Sequence, residues 1–429
     1  MDIKTKKMTY EQVCALKRPK HPKPWRPNPV LTTLIRILSC IDMWQTRFTY
    51  TTRRMELAKG KPCLILMNHS SFIDLKIASR IFYPKPYGIV CTHDGFVGKG
   101  LLMRMLGCIP TQKFVSDLSL IRDMEYMLKE KKTSVLMFPE AGYSFDGTAT
   151  VLPRKLGVLL KKLDVPVVSV ITRGAYARDP LYNGLQNRKV KVSAEVECLL
   201  TPEEIREKSV RELDEMLDTL FSFDNFAWQR DNGIRITESF RADGLNRILY
   251  RCAHCGSEGE MEGRGITLTC HHCGKEWTLT ELGELEAREG NTEFSHIPDW
   301  YAWQRGEVRK ELENGTYRLD TDVTIGMQVD RKAIYMIGDG HLTHDETGFR
   351  LTGGDGKLCY EQGPVASHSI NADYYWYKIG DMIGIGNREV LYYCFPKTSG
   401  DVVAKTRLAA EELYKIKKTR RTSKVAEMV

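Results

Sequence analysis

The apolar residues of this chain follow two periods, which predict strands alternating with helices. Short uninterrupted apolar runs predict buried strands at residues 62–67, 87–91, 134–138 and 165–171. Apolar residues at helical spacing predict helices at residues 72–82, 97–106, 118–129, 154–163 and 202–221. Residues 190–196 alternate apolar with polar side chains, as in a strand with one wet face. This order indicates an α/β domain with a largely parallel sheet over residues 50–245.

The flanking regions carry other patterns. Residues 1–49 combine a basic, proline-rich arm, expected to be extended, with an amphipathic helix at 30–48. Residues 248–280 are rich in Cys, His and Gly, and residues 281–315 are predicted to be a charged helical linker. Residues 316–416 contain short β runs and a final helix at 401–416, a topology that resembles a pleckstrin-homology-like module. A basic tail covers residues 417–429.

The composition supports a globular protein of two or three domains. The chain has 429 residues, of which 42% are hydrophobic and 28% charged, and these fractions exclude a mostly disordered chain. No apolar stretch reaches the roughly 20 residues that cross a bilayer. The first thirty residues lack the apolar core of a secretory signal. We therefore expect a cytoplasmic protein.

The net charge of +8 is concentrated toward the two ends of the chain. Basic ends are typical of contacts with anionic lipid or nucleic acid, and equally of solvated termini. The amphipathic helix at 30–48 fits two arrangements. It can lie in a membrane interface, or its apolar face can dock on the next domain.

The segment from Asn68 to Asp74 directly follows the first strand, at the sheet edge where α/β proteins gather their chemistry. Ser70 or Ser71 can cap the next helix and place Asp74 in its first turn. Five residues span about 140° of a regular helix, so His69 meets Asp74 only if it precedes the helix. The carboxylate would then fix the imidazole tautomer and leave the other nitrogen as a base. A capping histidine beside a solvated aspartate is the alternative.

Three further segments follow this motif in order. Residues 107–113 (GCIPTQK) form a turn that ends in a cation, residues 138–144 (FPEAGYS) follow the third strand, and residues 165–170 (VPVVSV) lie in the fourth. Together the four segments resemble the four sequence blocks of the glycerolipid (lysophosphatidic acid) acyltransferase family, over about residues 60–200. The resemblance implies an α/β fold with a mixed sheet flanked by helices.

The resemblance also implies a reaction. His69 would remove the proton of an acceptor hydroxyl, oriented by Asp74, and the hydroxyl would attack the thioester of acyl-CoA or an acyl carrier protein. The acceptor would be lysophosphatidic acid or a related lysolipid, and no catalytic cofactor is implied. The resemblance places these residues at the substrate: Asn68, Lys113, Glu140, Gly142 and Ser144.

Two positions depart from the family's pattern. Lys113 stands where the family usually has an arginine, and the usual E-G-T-R is here Glu140 followed by Ala141, Gly142 and Tyr143. Two bidentate phosphate contacts are thereby reduced to one lysine, plus any contribution from Arg154, Lys155 or Arg173. The alternative to an active enzyme is a catalytically weakened lipid-binding or scaffold protein on an acyltransferase fold.

Four cysteines form two C-x-x-C knuckles with fourteen residues between them, each followed by a glycine: Cys252, Cys255, Cys270 and Cys273. This spacing is typical of a zinc ribbon, and four thiolates make a closed, structural zinc site. Disulfides are the alternative, disfavoured in a reducing compartment. Three acidic residues lie in the loop, so we expect no nucleic-acid partner: Glu258, Glu260 and Glu262.

The remaining patterns predict packing. The other eight cysteines are expected to be reduced, most of them in the core: Cys14, Cys40, Cys63, Cys91, Cys108, Cys198, Cys359 and Cys394. Residues 373–378 (DYYWYK) are aromatic, and alternate side chains are expected to point inward as in a regular strand. The sequence as a whole predicts an acyltransferase peripheral to the membrane, with a thioester donor, a lysophospholipid acceptor and the membrane surface as partners.

Overall fold

The computed structural model describes residues 2–18, 21–115, 117–153, 156–184, 186–398 and 402–427, with side chains up to residue 419. Within these ranges the strands form three sheets, of seven, four and eight strands. No helix in the same ranges combines the length and the apolar character needed to cross a membrane.

The N-terminal segment begins with a strand where an extended arm was predicted. Its elements are β1 (Thr5–Lys7), α1 (Tyr10–Cys14), α2 (Pro29–Leu38) and α3 (Cys40–Gln45). The side chain of Asn28 caps α2 by accepting from the amide of Val30, and Pro29 follows at the first helical position. The single helix predicted at 30–48 is divided at Ser39, which separates α2 from α3.

The largest part of the chain is built on a seven-stranded mixed sheet. Its strands are β2 (Thr49–Arg53), β3 (Leu64–Met67), β4 (Tyr87–Thr92), β5 (Cys108–Thr111), β6 (Ser134–Met137), β7 (Val167–Arg173) and β8 (Ser193–Leu200). Their order is β2-β8-β7-β3-β6-β4-β5, and all pairs are parallel except β7 with β8. The predicted α/β class is confirmed.

Helices cover both faces of this sheet. They are α4 (Asp74–Phe82), α5 (Gly100–Met105), α6 (Leu118–Glu125), α7 (Leu156–Leu163), α8 (Ala175–Arg178), α9 (Pro202–Glu207), α10 (Val210–Leu220) and α11 (Asn225–Asp231). Leu64 and Leu66 of β3 belong to one apolar cluster, and Ile65 and Met67 to another. A strand buried on both faces is apolar throughout, which is why its run was recognisable. One predicted helix is divided into α9 and α10, because Ser209 starts a capping box.

The cysteine-rich region is a small antiparallel sheet. Its strands are β9 (Met261–Arg264), β10 (Thr267–Cys270), β11 (Glu276–Leu279) and β12 (Leu285–Ala287), in the order β12-β11-β10-β9. The helical linker predicted from residue 281 is therefore wrong in its first part, which contains β12. The helix that follows is α12 (Ile297–Glu313), and its side chains Trp300, Tyr301 and Gln304 are buried.

The C-terminal part consists of two antiparallel meanders. They are β13 (Leu319–Gln328), β14 (Ile334–Asp345), β15 (Gly348–Gly353) and β16 (Leu358–Gln362), then β17 (Asn371–Trp376), β18 (Gly380–Gly386) and β19 (Leu391–Pro396). β13 pairs with β19 and joins them, and β1 adds to β14 in parallel. The predicted final helix is α13 (Val402–Glu427), which extends into the expected basic tail. The likeness to a pleckstrin-homology-like module stays a prediction.

Candidate active site

His69 and Asp74 meet in the loop between β3 and α4. The Nδ1 of His69 lies 3.1 Å from Oδ2 of Asp74, and the same oxygen accepts from the amides of Ser70 at 2.8 Å and Ser71 at 3.0 Å. Asp74 is the first residue of α4, so its side chain folds back over the loop that precedes the helix. A carboxylate only accepts hydrogen bonds, so Nδ1 carries the proton and Nε2 is left as the basic nitrogen.

Two aromatic rings enclose the imidazole. The ring of Phe138 is stacked on His69 and the ring of Tyr143 lies tilted on it, each with a centroid distance of 4.0 Å. The side chain of His69 is 15% exposed and that of Asp74 is fully buried. Burial lowers the pKa of His69, although the hydrogen bond to Asp74 opposes this effect. The lowered pKa favours the neutral form of the imidazole.

Glu140 holds the backbone beside the base. Its Oε1 accepts from the amide of His69 at 3.0 Å, and its Oε2 accepts from the amide and the hydroxyl of Thr150 at 3.2 and 3.1 Å. Burial raises the pKa of Glu140 to about 7, while these hydrogen bonds lower it. The side chain is almost completely buried, and it connects the loop after β3 to the segment after β6.

Three other residues expected at the substrate also face the protein. Asn68 is fully buried and accepts from the amide of Thr172 at 2.8 Å, which connects the ends of β3 and β7. Ser144 is fully buried and donates to the carbonyl of Thr148 at 2.6 Å. Gly142 is buried, with the ring of Phe114 nearest to the position of a Cβ. The polar atoms of Asn68, Glu140 and Ser144 therefore hold the protein's own backbone.

His69 lies in the wall of a large open cavity. Its volume is about 1840 Å³, and apolar side chains line much of it, among them Leu75, Val90, Leu102, Leu106, Met137 and Leu152. Pockets for drug-sized ligands measure about 300–1,000 Å³. His69 therefore borders a cavity large enough for a ligand with a long apolar chain.

Residues 48–173 match a family model described as Acyltransferase. They form an acyltransferase domain. The resemblance found in the sequence is thereby confirmed at the level of this family. A solved structure of the 1-acyl-sn-glycerophosphate (LPA) acyltransferase PlsC from Thermotoga maritima is similar, with 16% identity, a TM-score of 0.37, and coverage of 44% of this chain and 76% of that one. No curated protein matches the chain.

Lys113 of the acyltransferase domain lines the cavity, and its predicted contact with a substrate phosphate stays a prediction. Its Nζ lies 6.0 Å from the centre of the Tyr143 ring, the ring that covers His69. Arg173, the last residue of β7, is not among the residues that line the cavity. Arg154 and Lys155 lie outside the described residues. Of the two described cations proposed from the sequence for phosphate binding, Lys113 is the one that lines the same cavity as His69.

The cavity is not formed by the acyltransferase domain alone. Residues from the C-terminal part complete it, namely residues 365–368, residues 373–378 of β17 and the loop after it, and one face of α13. Sequence patterns did not predict this contribution, because no local motif records a contact between residues 300 positions apart. The aromatic run at 373–378 was the available signal, and it was interpreted as packing.

The four ribbon cysteines come together outside the cavity. All four sulfur atoms lie within 4.8 Å of one another, with Cys252 to Cys273 at 3.9 Å and Cys255 to Cys270 at 3.8 Å. Disulfide bonds of about 2.05 Å do not fit these distances. Gly256 and Gly274 both have positive φ, as the turn after each knuckle requires. Of the other cysteines, Cys14, Cys40 and Cys359 are exposed, contrary to the expectation of core positions.

Proposed function

We propose that this protein transfers a fatty acyl group from a thioester to the hydroxyl of a lysolipid. The observation that carries the proposal is the contact of His69 with Asp74 in the wall of an apolar cavity within an acyltransferase domain. Nε2 of His69 removes the proton of the acceptor hydroxyl, and the oxygen attacks the thioester carbonyl. The C–S bond breaks, and the thiolate of acyl-CoA or of an acyl carrier protein leaves with the proton returned by the imidazole. The thioester is already activated, so no covalent enzyme intermediate is needed.

The neighbouring residues take supporting roles in this proposal. Asp74 orients the imidazole and stabilises its positive charge. Glu140 and Asn68 position the loop that carries His69, in place of the substrate contacts predicted from the sequence. Lys113 binds the acceptor phosphate. A hydrogen bond to Cys108, together with burial, raises the pKa of the Cys91 thiol well above its ordinary value, so this cavity-lining cysteine is not a nucleophile.

The second candidate is a lipid-binding protein that has lost turnover. The contact that favours it is the one between His69 and the Tyr143 ring, which covers the imidazole. Tyr143 belongs to residues 138–144, the segment that departs from the family's pattern. The two candidates differ in one measurable property, namely whether the acyl group leaves the thioester.

The decisive experiment incubates the purified protein with an acyl donor, either acyl-CoA or an acyl-loaded carrier protein, and with a mixed panel of lysolipids. The acylated product is identified by mass. We expect product from the wild type and none from His69→Ala. The matched control is His296→Ala, which removes another histidine paired with an aspartate, at 2.7 Å from Asp224 and outside the cavity. Absence of product with every donor and acceptor would leave the lipid-binding candidate.

We propose that α2 and α3 hold the cavity against a membrane surface. No residue of α2 is buried, and the exposed fractions of Ile37, Ile41 and Trp44 are 60%, 63% and 81%. α2 and α3 pack on α4, and Asp42 of α3 bonds Lys76 in the first turn of α4 at 2.6 Å. Phe72, two residues before α4, is exposed and lines the cavity. An exposed apolar face on the helices that pack against α4 would hold the cavity near the bilayer, where its lipid substrates dissolve.

We propose that the four ribbon cysteines bind one structural zinc ion. A tetrahedron with Zn–S bonds of about 2.3 Å has sulfur atoms about 3.8 Å apart. The distances of 3.8 and 3.9 Å fit this geometry. The neighbouring histidines have other partners, with His254 bonded to Glu293 and His271 to Glu262. Zinc would tie the two knuckles together without a position open for catalysis.

A further inference from the structure

One wall of the catalytic cavity comes from a distorted stretch of β17 and the loop after it. The register between β17 and β18 shifts between Asp373 and Trp376, and Tyr375, Tyr377 and Lys378 have positive φ values of 52°, 46° and 65°. Side chains of a regular strand alternate between faces. Here six consecutive residues, 373–378, line the same cavity. Such unfavourable backbone conformations persist where the surrounding structure enforces them, typically at binding sites.

This wall is fixed to the acyltransferase domain on two sides of the cavity. The Tyr374 ring lies 4.8 Å from that of Phe145, just after the third block, and its hydroxyl donates to the carbonyl of Arg247 at 2.7 Å. On the other side, Nε1 of Trp376 donates to the carboxylate of Asp94 at 3.3 Å. The position of the wall relative to His69 is therefore set by contacts on both sides.

A cation and a carboxylate, Lys113 and Asp373, line the same cavity. Lys113 lies 6.0 Å from the centre of the Tyr143 ring that covers His69, and burial, followed by the charge of Asp373, raises the pKa of Tyr143. Asp373 is half-buried and, among the described residues, no cation forms an ion pair with it. Burial raises the pKa of Asp373 to about 6, and the charge of Lys113 opposes this rise. A cationic ligand in the cavity would stabilise this carboxylate.

We infer that Lys113 and Asp373 bind the two charges of a zwitterionic lysolipid headgroup, the phosphodiester at Lys113 and an ammonium group at Asp373. This inference rests on the proposed function and names its acceptor class. Four other lysines line the cavity, and two of them are ion-paired, Lys378 with Asp2 at 3.0 Å and Lys415 with Glu412 at 2.6 Å. Lys113, which lies at the ring over His69, matches the single charge of a phosphodiester, whereas a phosphomonoester carries about −1.5 to −2 and favours bidentate arginine contacts. Asp373 would also repel the extra charge.

The aromatic side chains beside Asp373 fit the same ligand. Tyr375 and Tyr377 line the cavity. Burial raises the pKa of Tyr377, and the charges of Asp94 and Asp373 add to this rise. Trp376 packs edge-on against Tyr377 at 4.8 Å and orders it. Carboxylates combined with aromatic faces are the groups that recognise ammonium ions, through charge and cation–π attraction.

The test compares acceptors that share one acyl chain: lysophosphatidylethanolamine, lysophosphatidylcholine and lysophosphatidic acid. We expect wild-type kcat/KM to be higher for the two acceptors that carry an ammonium group, lysophosphatidylethanolamine and lysophosphatidylcholine. Asp373→Asn should lower kcat/KM for these two by roughly tenfold or more, and should leave lysophosphatidic acid unchanged or improved. Asp373→Glu should restore part of the preference. Glu361→Gln removes an exposed carboxylate of the same sheet outside the cavity, and should change neither value.

A binding measurement covers the case in which the variant does not fold. Calorimetric titration of His69→Ala with glycerophosphoethanolamine and with glycerol 3-phosphate should show tighter binding of the former. Preference for lysophosphatidic acid and glycerol 3-phosphate, or an equal loss for all three acceptors in Asp373→Asn, would overturn the inference and leave acyl transfer intact. Failure of the wild type to acylate any of the acceptors would instead overturn the proposed function, and the inference with it.

Discussion

Replacing Asp74 with asparagine removes one negative charge and preserves the shape of the catalytic loop. Oδ2 of Asp74 accepts from the amides of Ser70 and Ser71 as well as from His69. An amide oxygen can keep the two backbone bonds, so the loop should stay in place. What is lost is the charge that stabilises the imidazolium formed when His69 takes the proton.

The size of the effect follows from this one bond. A hydrogen bond to a charged group contributes about 1.5–3 kcal/mol, and each 1.36 kcal/mol is about tenfold in rate. General-base catalysis as a whole contributes about 10²–10⁴-fold, which sets the upper limit. We expect kcat of Asp74→Asn to fall by about 10²-fold. KM should change little, because the buried carboxylate does not contact the acceptor.

Initial rates over a range of lysolipid concentrations, with the product quantified by mass, give both constants. Asp42→Asn is the matched control, because Asp42 is an ion-paired aspartate near the same helix. It bonds Lys76 of α4, the helix that begins at Asp74, at 2.6 Å, and Arg178 at 2.8 Å. That change should lower the melting temperature and leave kcat near wild type. An Asp74→Asn enzyme with wild-type kcat, or one whose loss is matched by Asp42→Asn, would refute the assignment of the base.

Three further predictions concern pH, metal and membrane. Because burial lowers the pKa of His69, its neutral form persists below the ordinary value of about 6.5, and the acidic limb of a kcat/KM–pH profile should lie below that value. Metal analysis should find one zinc per chain, and a chelator or Cys252→Ser should remove it and lower the melting temperature; a metal-free protein of unchanged stability would contradict this. Trp44→Ser should weaken binding to anionic vesicles by about tenfold or more, since burying an indole contributes on the order of 2 kcal/mol. The control is Val158→Ser in α7, on the face of the seven-stranded sheet away from α4, and it should leave vesicle binding unchanged. Equal losses of vesicle binding in the two variants would exclude the proposed membrane surface.

The contact between His69 and Asp74 could be predicted because local rules position both residues. A buried parallel strand must be apolar on both faces, so Leu64–Met67 marks where the sheet ends. The offset between His69 and Asp74 excludes a contact inside a helix, and α4 begins at Asp74 as that geometry requires. The division of α9 from α10 was also readable, since Ser209 and Glu212 form a capping box.

The roles of other residues depend on pairings that local patterns do not record. β1 joins β14 across more than 300 residues, and nothing in the composition of Thr5–Lys7 indicates that partner. Glu140 was expected at the substrate because its motif lies at a strand end. A strand end places a residue near the site, but burial and hydrogen bonds decide whether it faces a ligand or the backbone.

The two halves of the site therefore obey different constraints. The base is oriented within one loop, and Glu140 ties that loop to β6, so changes there should affect every acceptor equally. Another part of the cavity wall comes from β17 and is held by Tyr374 and Trp376, and within the described residues no hydrogen bond joins it to His69 or Asp74. Substitution of Asp373 should then change the ratio of kcat/KM between acceptors, while acyl transfer at His69 persists. If both classes of substitution changed rate and preference together, the cavity would act as one unit, and the C-terminal part would serve the base as well as the headgroup.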